Sequence, residues 1–316
     1  MTTFSAVLLD LLACPVCGGR LAEVEGGATL TCTVCGLRFQ SYEDIPILLP
    51  PTVRPTDNDA DGPLSHKERQ IAFFDQDSVD DFGVTRPRGA PELYGWLLEE
   101  KFRRSIVGLE HLLPGSTVLT ICGGSGIDAE FLARRGAHVI LSDIALGVVL
   151  QARERARRFG LELDLVVADA EALPFADASL DLVYVHDGLH HLEQPAVGLA
   201  EMARVARSAV SISEPADAFA TNSAARLGLA DKREEAGNPV RRLSLDEITS
   251  ALTARGFRPV RPHRYAMYYR HWPGTAMRIL SSPVLLPLAK AGFGAVNRIV
   301  GRYGNKLAVQ AVRESN

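Results

Sequence analysis

Two groups of residues in this chain have types and spacings suited to chemistry. The first is Cys14, Cys17, Cys32 and Cys35, four of the five cysteines, read as C-P-V-C, fourteen residues, then C-T-V-C. Two CxxC knuckles at this separation suit a tetrahedral metal site with zinc–sulfur bonds of about 2.3 Å. Pro15 stiffens the first turn, and Gly18, Gly19 and Gly36 allow the positive φ of a tight knuckle. Four thiolates leave no open position for water, so the metal is expected to be structural. A pair of disulfides in a secreted domain is the competing assignment, and paired CxxC units are the more specific signal for a metal.

The second group begins where a β-rich run at 117–122 enters Gly123-Gly124-Ser125-Gly126 and then a helical pattern. A glycine turn after a first strand lets a ligand approach the backbone, although many nucleotide-binding folds share it. Seventeen residues beyond Gly126, Asp143 ends the run Val139-Ile140-Leu141-Ser142. A carboxylate there can accept from both hydroxyls of a ribose. Asp169, Ala170 and Glu171 follow a third run at 163–168, and a fourth at 180–185 leads to His186, Asp187, His190 and His191. Imidazole is a suitable base near neutral pH, which makes these histidines candidates for proton transfer. Glu171, Asp187 and Glu214 are further candidates, and Glu214 stands at the carboxyl edge where open α/β sheets bind substrates, so it is expected to line the pocket.

Such residues need a scaffold, and the patterning supplies one. β-rich runs at 117–122, 137–141, 163–168, 180–185 and 209–212 alternate with helical periodicity at 128–135, 146–159 and 195–206. Alternation of this kind predicts an α/β fold, a parallel sheet with helices on both faces. Ser244 can cap a helix carrying Asp246 and Glu247 in its first turn and ending near Gly256. Runs at 257–261 and 306–312 are then the last two strands. The roughly 45 residues between them are too many for a hairpin turn and read as an insertion. It holds Tyr265, Met267, Tyr268, Tyr269, His271 and Trp272, suited to covering a hydrophobic or planar substrate, and then the apolar stretch 279–295. Pro283, Pro287 and nearby glycines interrupt that stretch. With Arg278, Lys290, Arg298 and Arg302 it reads as an amphipathic lid or interfacial contact. Residues 51–65 read as a linker, and 66–108 as helical with an irregular middle at 86–89.

At 316 residues, 47% apolar and 23% charged, the chain has the composition of a folded globular protein. Its net charge of -4 excludes a uniformly basic nucleic-acid binder, yet residues 241–316 hold 13 Lys and Arg against 3 Asp and Glu. That stretch carries +10 and the first 240 residues -14, so an anionic substrate, RNA phosphate or a membrane surface suits the C-terminal quarter. No apolar run reaches the roughly 18 residues of a transmembrane helix. Leu11-Leu12-Ala13-Cys14 imitates a lipoprotein cleavage box, but no Lys or Arg precedes it and Asp10 interrupts it. The expected location is the cytoplasm.

The first of these segments carries Leu8-Leu9, Cys14-Pro15, the CxxCG knuckle closing at Gly36, and Ile45-Pro46-Ile47-Leu48-Leu49-Pro50. It resembles the zinc-ribbon family typified by the small activator subunit of tRNA methyltransferases. The later elements include the run DAEALPFADASLDLVYVHDGLHHLEQP at 169–195. They resemble the class I S-adenosylmethionine-dependent methyltransferases, in particular the ubiquinone-biosynthesis-like, type 11 group. Together the resemblances imply a Rossmann-like seven-stranded methyltransferase sheet preceded by a small zinc-ribbon domain. The implied division is a ribbon at 1–50, a linker and helical cap at 51–108, and a methyltransferase domain at 109–316 with its insertion at about 262–305.

The resemblance also implies roles for individual residues. Thr120, Gly123, Gly124, Gly126 and the backbone of Cys122 lie along the methionine part of the cofactor. Asp143, followed by Ile144, holds the ribose. Asp169 accepts from the adenine amino group, Ala170 offers its amide, and His186 and Asp187 begin the loop facing the sulfonium. Two positions depart from the family, Thr120 in place of an acid and Cys122 in place of the first glycine, and they keep a degenerate, non-catalytic interaction module open. The candidate catalytic residues are His186, Asp187, His190, His191 and Glu214, although in this family the histidine pair commonly packs over the cofactor. The expected activity is methyl transfer from S-adenosylmethionine to a small lipid-like, quinone-like or natural-product acceptor, with zinc as a structural ion. The alternative is an RNA base methyltransferase similar to the guanine-N1 rRNA enzymes. Against it, only Arg20 and Arg38 precede residue 54, and those enzymes usually use a histidine among the zinc ligands. Peripheral membrane contact remains open, as does the oligomeric state.

Overall fold

The computed structural model describes residues 4–24, 29–53, 64–76, 81–217 and 243–314; most of the expected linker, 54–63, lies outside the described residues. The chain opens with α1 (Ala6–Leu11) and four short antiparallel strands, β1 (Leu21–Glu23), β2 (Thr29–Cys32), β3 (Arg38–Tyr42) and β4 (Ile45–Leu48). Three helices follow: α2 (His66–Gln76), α3 (Asp81–Thr85) and α4 (Glu92–Ser105). Then come β5 (Thr117–Ile121), α5 (Ile127–Ala133), β6 (His138–Asp143), α6 (Leu146–Phe159), β7 (Leu163–Ala168), β8 (Leu180–His186), α7 (Pro195–Val205) and β9 (Ala206–Pro215). The last part holds α8 (Leu245–Thr253), β10 (Phe257–Pro259), β11 (His263–Tyr265), α9 (Thr275–Leu280), α10 (Leu285–Val300) and β12 (Lys306–Arg313).

The main sheet runs β7-β6-β5-β8-β9-β12-β10, parallel except for β12. Its central strands are buried on both faces, which is why they read as nearly unbroken apolar runs. Helices α4, α5 and α6 cover one face through Phe102, Leu132 and Val149, and α7 and α8 cover the other through Met202 and Leu252. The signals at the helix ends behave as read. Gly160 closes α6 at φ 63°, and the Ser244 hydroxyl accepts from the Glu247 amide to start α8. The strand expected at 257–261 appears as the shorter β10, and a further short strand, β11, follows inside the expected insertion. β10 lies opposite Ala311–Arg313 and β11 opposite Lys306–Ala308, and Pro262, between them, lacks the N–H a continuous ladder needs.

The ribbon is built into this sheet. β4 pairs parallel with β7, Ile47 opposite Val167 and Leu48 opposite Ala168, so the ribbon strands extend the main sheet at its β7 edge. Leu8, Leu12 and Phe39 share a buried cluster with Leu173 and Phe175, and the Ala13 amide donates to the Pro174 carbonyl at 2.9 Å. An edge that would otherwise present bare backbone groups is thereby covered.

One buried ion cluster fixes the helical cap against the glycine turn. Arg155 of α6 is fully buried, donating to the Ser125 carbonyl, to Glu130 and to the carbonyls of Gly83 and Arg86. Burial pushes the Glu130 carboxyl up, but hydrogen bonds from Arg88, Arg134 and Arg155 outweigh it and hold it at about 2. A buried guanidinium is tolerable because each of its three nitrogens meets an acceptor.

Candidate functional site

A cavity of about 820 Å³ opens at the carboxyl ends of β5, β6, β7 and β8, and α2 and the 269–272 segment line its other side. It lies where the strand order reverses, with β5 between β6 and β8, the place where open α/β sheets bind ligands. α2 is held over it by three polar contacts. The His66 ring meets the His191 carbonyl at 2.8 Å, Lys67 meets Asp169 at 2.6 Å, and Asp75 accepts from the Gly147 amide at 2.7 Å.

The floor is the turn 122–126, which ends with Gly126 at φ 80° as the N-cap of α5. Gly123 has no room for a side chain, since a Cβ there would meet Leu141 at 2.6 Å. Gly124, at φ 50°, faces open space. Cys122 also adopts a left-handed backbone, at φ 49°, which disfavours a residue with a side chain. Its side chain is turned against Gly188, where a Cβ would come within 2.5 Å of the Cys122 Cβ. Burial, with Asp143 and Glu214 adding to it, pushes the Cys122 thiol well up, so it is a neutral wall of the cavity.

The acidic residues read from the sequence fall around this floor. Asp143 ends β6 and accepts from the Gly124 amide at 3.0 Å and the Ala145 amide at 3.2 Å; burial raises its carboxyl. Asp169 follows β7 and takes Lys67 on one oxygen and the Glu171 amide on the other, while Lys67 also reaches Glu171 at 3.0 Å. Thr120, Ile144 and Ala170 line the same cavity.

The loop after β8 divides the candidate catalytic residues. His186 has a nearly buried side chain that lines the cavity. Its Nδ1 lies 3.2 Å from Asp128 and 3.1 Å from the Tyr184 hydroxyl, and its buried Nε2 has no hydrogen-bond partner. Asp187 also lines the cavity, at φ 51°, but its two oxygens are clamped at 2.6 Å by Lys101 and by Lys306. Burial raises its carboxyl, but Lys101, Lys306 and His186 outweigh that and hold it well below the usual range, which makes it a poor proton acceptor. Glu214 does not line the cavity as expected. It is fully buried beneath the loop, accepts from the Gly188 and Leu189 amides at 2.8 Å and meets His190 at 2.6 Å. It anchors the loop, and His190 is spent on the same contact. His191 lines the cavity, with its ring 4.1 Å from that of His190.

The insertion is divided too. Tyr269, His271 and Trp272 line the cavity, whereas Tyr265 is buried against Ser213 and Tyr268 is exposed. Lys67, Lys101, Asp128, Tyr184 and Lys306 are the site residues the sequence reading missed. Asp128 alone gave a local signal, an acid in the first turn of the helix after the glycine turn.

A second candidate site lies in the ribbon. The sulfurs of Cys14, Cys17, Cys32 and Cys35 all fall within 4.8 Å of one another, with Cys14–Cys35 at 3.8 Å and Cys17–Cys32 at 3.4 Å. These spacings suit four ligands around one ion, and the pairs are too far apart for disulfide bonds of about 2.05 Å. The amides of Val34 and Cys35 point at the Cys32 sulfur, the arrangement that stabilises a ligating thiolate.

Comparison with known proteins agrees with this geometry. Residues 119–213 match the methyltransferase domain family and residues 7–40 match the Trm112p-like family. A demethylmenaquinone methyltransferase of Renibacterium salmoninarum is 36% identical over 107 residues, 34% of this chain and 44% of that protein. A ubiquinone/menaquinone biosynthesis C-methyltransferase of Stenotrophomonas maltophilia is 41% identical over 109 residues, 33% of this chain and 43% of that protein. The chain thus spans less than half the length of these curated relatives. Among solved structures, the cyclase SpnF aligns with a TM-score of 0.52 at 17% identity, over 81% of this chain and 98% of its own. A sarcosine dimethylglycine methyltransferase homologue from Galdieria sulphuraria aligns at 0.50, also 17% identical, over 77% and 97%. These two establish the fold, and since one is described as a cyclase, the fold by itself does not select a reaction. The sheet order and the glycine turn thus lie within the segment that matches the methyltransferase domain family, and a segment similar to the Trm112p-like family precedes it in the same chain.

Proposed function

We propose that this protein transfers a methyl group from S-adenosylmethionine to a small quinone-like or lipid-like acceptor. The observation that carries this is the cavity itself: it sits at the reversal of strand order, has open space over Gly124 with Asp143 beside it at the end of β6, and is lined by His186, whose buried Nε2 has no hydrogen-bond partner. The first feature suits a nucleoside ligand, as a cradle that a side chain would fill, and the second leaves a polar atom for the acceptor. The bound cofactor supplies an electrophilic methyl group whose leaving group departs as a neutral thioether.

The remaining work falls to the chain's own residues. Asp143 holds the ribose hydroxyls, and Asp169 with the Ala170 amide holds the adenine. His186 takes the proton of an acidic acceptor on Nε2, while Asp128 and Tyr184 fix its ring through Nδ1. Tyr269, His271 and Trp272 form an aromatic wall suited to a planar acceptor. The names of the two methyltransferase relatives, both of quinone biosynthesis, support the same acceptor class. In the ribbon, four thiolates within 4.8 Å favour zinc in a structural role. Free thiols arranged for a metal suit a reducing compartment such as the cytoplasm.

Calorimetric titration with S-adenosylhomocysteine tests the cofactor site. Hydrogen bonds to a charged group contribute about 1.5–3 kcal/mol each, so Asp143→Ala should weaken binding by about 100-fold or more. Asp143→Asn, which keeps the shape, should also weaken it. Circular dichroism checks that both variants fold. Unchanged affinity in the folded Asn variant refutes the assignment of Asp143.

A further inference from the structure

Residues 248–313 contain eleven Lys and Arg and not one Asp or Glu. Within that stretch α10 is apolar on two sides. Its inner stripe, Leu286, Ala289 and Phe293, packs against Trp96, Leu97 and Met267. Its outer side is bare: Leu288 is 64% exposed and Ile299 73%, with Val296 between them. Val284, at 76%, and Ile279 of α9 continue the exposed apolar surface at one end, and Tyr303 continues it at the other. One amphipathic stripe suffices to seat a helix on a core, so the second stripe is surplus to folding.

We propose that the outer side of α9 and α10 docks on an anionic lipid bilayer. The charge pattern selects this occupant. Arg278, Arg298 and Arg302 are exposed beside the aliphatic side chains, and their stems can lie along apolar surface while the guanidinium groups reach lipid phosphates. A second copy of the chain would set the same excess of arginine against itself. RNA would use the arginines but leave Leu288, Val296 and Ile299 in water. Among the described residues no helix is long and apolar enough to cross a membrane, so α10 would lie in the interface plane. The surface adjoins the cavity. Trp272, 59% exposed, lines the cavity three residues before α9 begins, so the mouth would face the membrane from which an apolar acceptor arrives. Docking itself goes beyond the methyl-transfer reading and requires neither cofactor nor acceptor.

Co-sedimentation of the full chain with vesicles tests this. The protein should pellet with vesicles of equal phosphatidylglycerol and phosphatidylcholine, much less with phosphatidylcholine alone, and less as salt rises. Leu288→Asp combined with Ile299→Asp, both on the exposed side, should keep the thermal transition and lower partitioning by about tenfold or more. Arg298→Gln with Arg302→Gln should lower it on anionic vesicles only. Absence of pelleting, or equal pelleting of the folded Asp variant, overturns the proposal. So does a concentration-dependent dimer that the same two Asp substitutions disperse, or RNA binding in place of vesicle binding.

Discussion

Asp187→Asn separates a structural clamp from a catalytic base at the same position. The substitution keeps the shape, keeps the amide that donates to the Ser213 carbonyl at 2.8 Å, and suits φ 51°, because Asn tolerates a left-handed backbone. What it removes is one negative charge held 2.6 Å from both Lys101 and Lys306. Breaking one buried ion pair by deleting a partner costs about 3–5 kcal/mol. Two pairs do not double this, since Asp187 keeps 28% of its side chain open to the cavity and Lys101 retains the Tyr269 hydroxyl at 2.8 Å. The expected loss is therefore about 3 kcal/mol, a fall of about 6–12 °C in the thermal midpoint for a domain of this size. The pH dependence has a definite sign. A carboxyl depressed in the folded state contributes stability above its unfolded pKa of about 3.9, and that stability is lost as pH falls through the lower folded value. The gap between wild type and variant should stay constant from neutral pH to about 4 and close only below it. Urea unfolding at several pH values measures this. A gap under about 1 kcal/mol at pH 7, or one that vanishes between pH 7 and 5, refutes the clamp.

Two further outcomes follow from the site. His186→Gln should lower kcat on a quinol acceptor by about 10²–10⁴-fold, with cofactor affinity within about twofold of wild type; an unchanged kcat rules out His186 as the base. Metal analysis should find one zinc per chain. Chelation or Cys32→Ser should release it and unfold mainly the ribbon while the helical signal of the main domain persists; a metal-free protein of unaltered stability excludes a structural ion.

How much of this was legible in the sequence depends on how far apart the cooperating residues lie. The parallel strands were readable because each is a local run buried on both faces, and the glycine turn because its residues are adjacent. The clamp was not: Lys101 and Lys306 stand 86 and 119 residues from Asp187, and a lysine in a helix or at a strand start has no local mark of burial. Glu214 shows the limit of positional reasoning. Successive residues of a strand face opposite ways, so at the end of β9 Ser213 meets Tyr265 while Glu214 turns to the Gly188 and Leu189 amides. The carboxyl edge located the residue, but its direction depended on a loop that only the folded chain brings there. The split of β10 from β11 was readable in principle, since Pro262 stands in plain view.

The joining of the ribbon to the main sheet was invisible in the sequence, and it bears on the cofactor site. Among the described residues, the backbone contacts of the ribbon with the main domain fall on one stretch: Ile47 and Leu48 pair with Val167 and Ala168, and Leu11, Leu12 and Ala13 meet Ala176, Phe175 and Pro174. Between those two anchors lie Asp169, Ala170 and Glu171, the proposed adenine subsite and the contacts of Lys67. Asp143 ends the next strand inward and is held by the Gly124 and Ala145 amides, which the ribbon does not touch. Order imposed by a metal on Cys14 and Cys32 would therefore reach the 169–171 segment through two short hydrogen-bonded links, whereas toward β6 and α6 the ribbon offers the side-chain packing of Ile45 and Leu49 and the Arg153–Glu43 ion pair. On the proposed assignment of the adenine subsite, the ribbon holds both ends of the segment that would receive the base, without touching it.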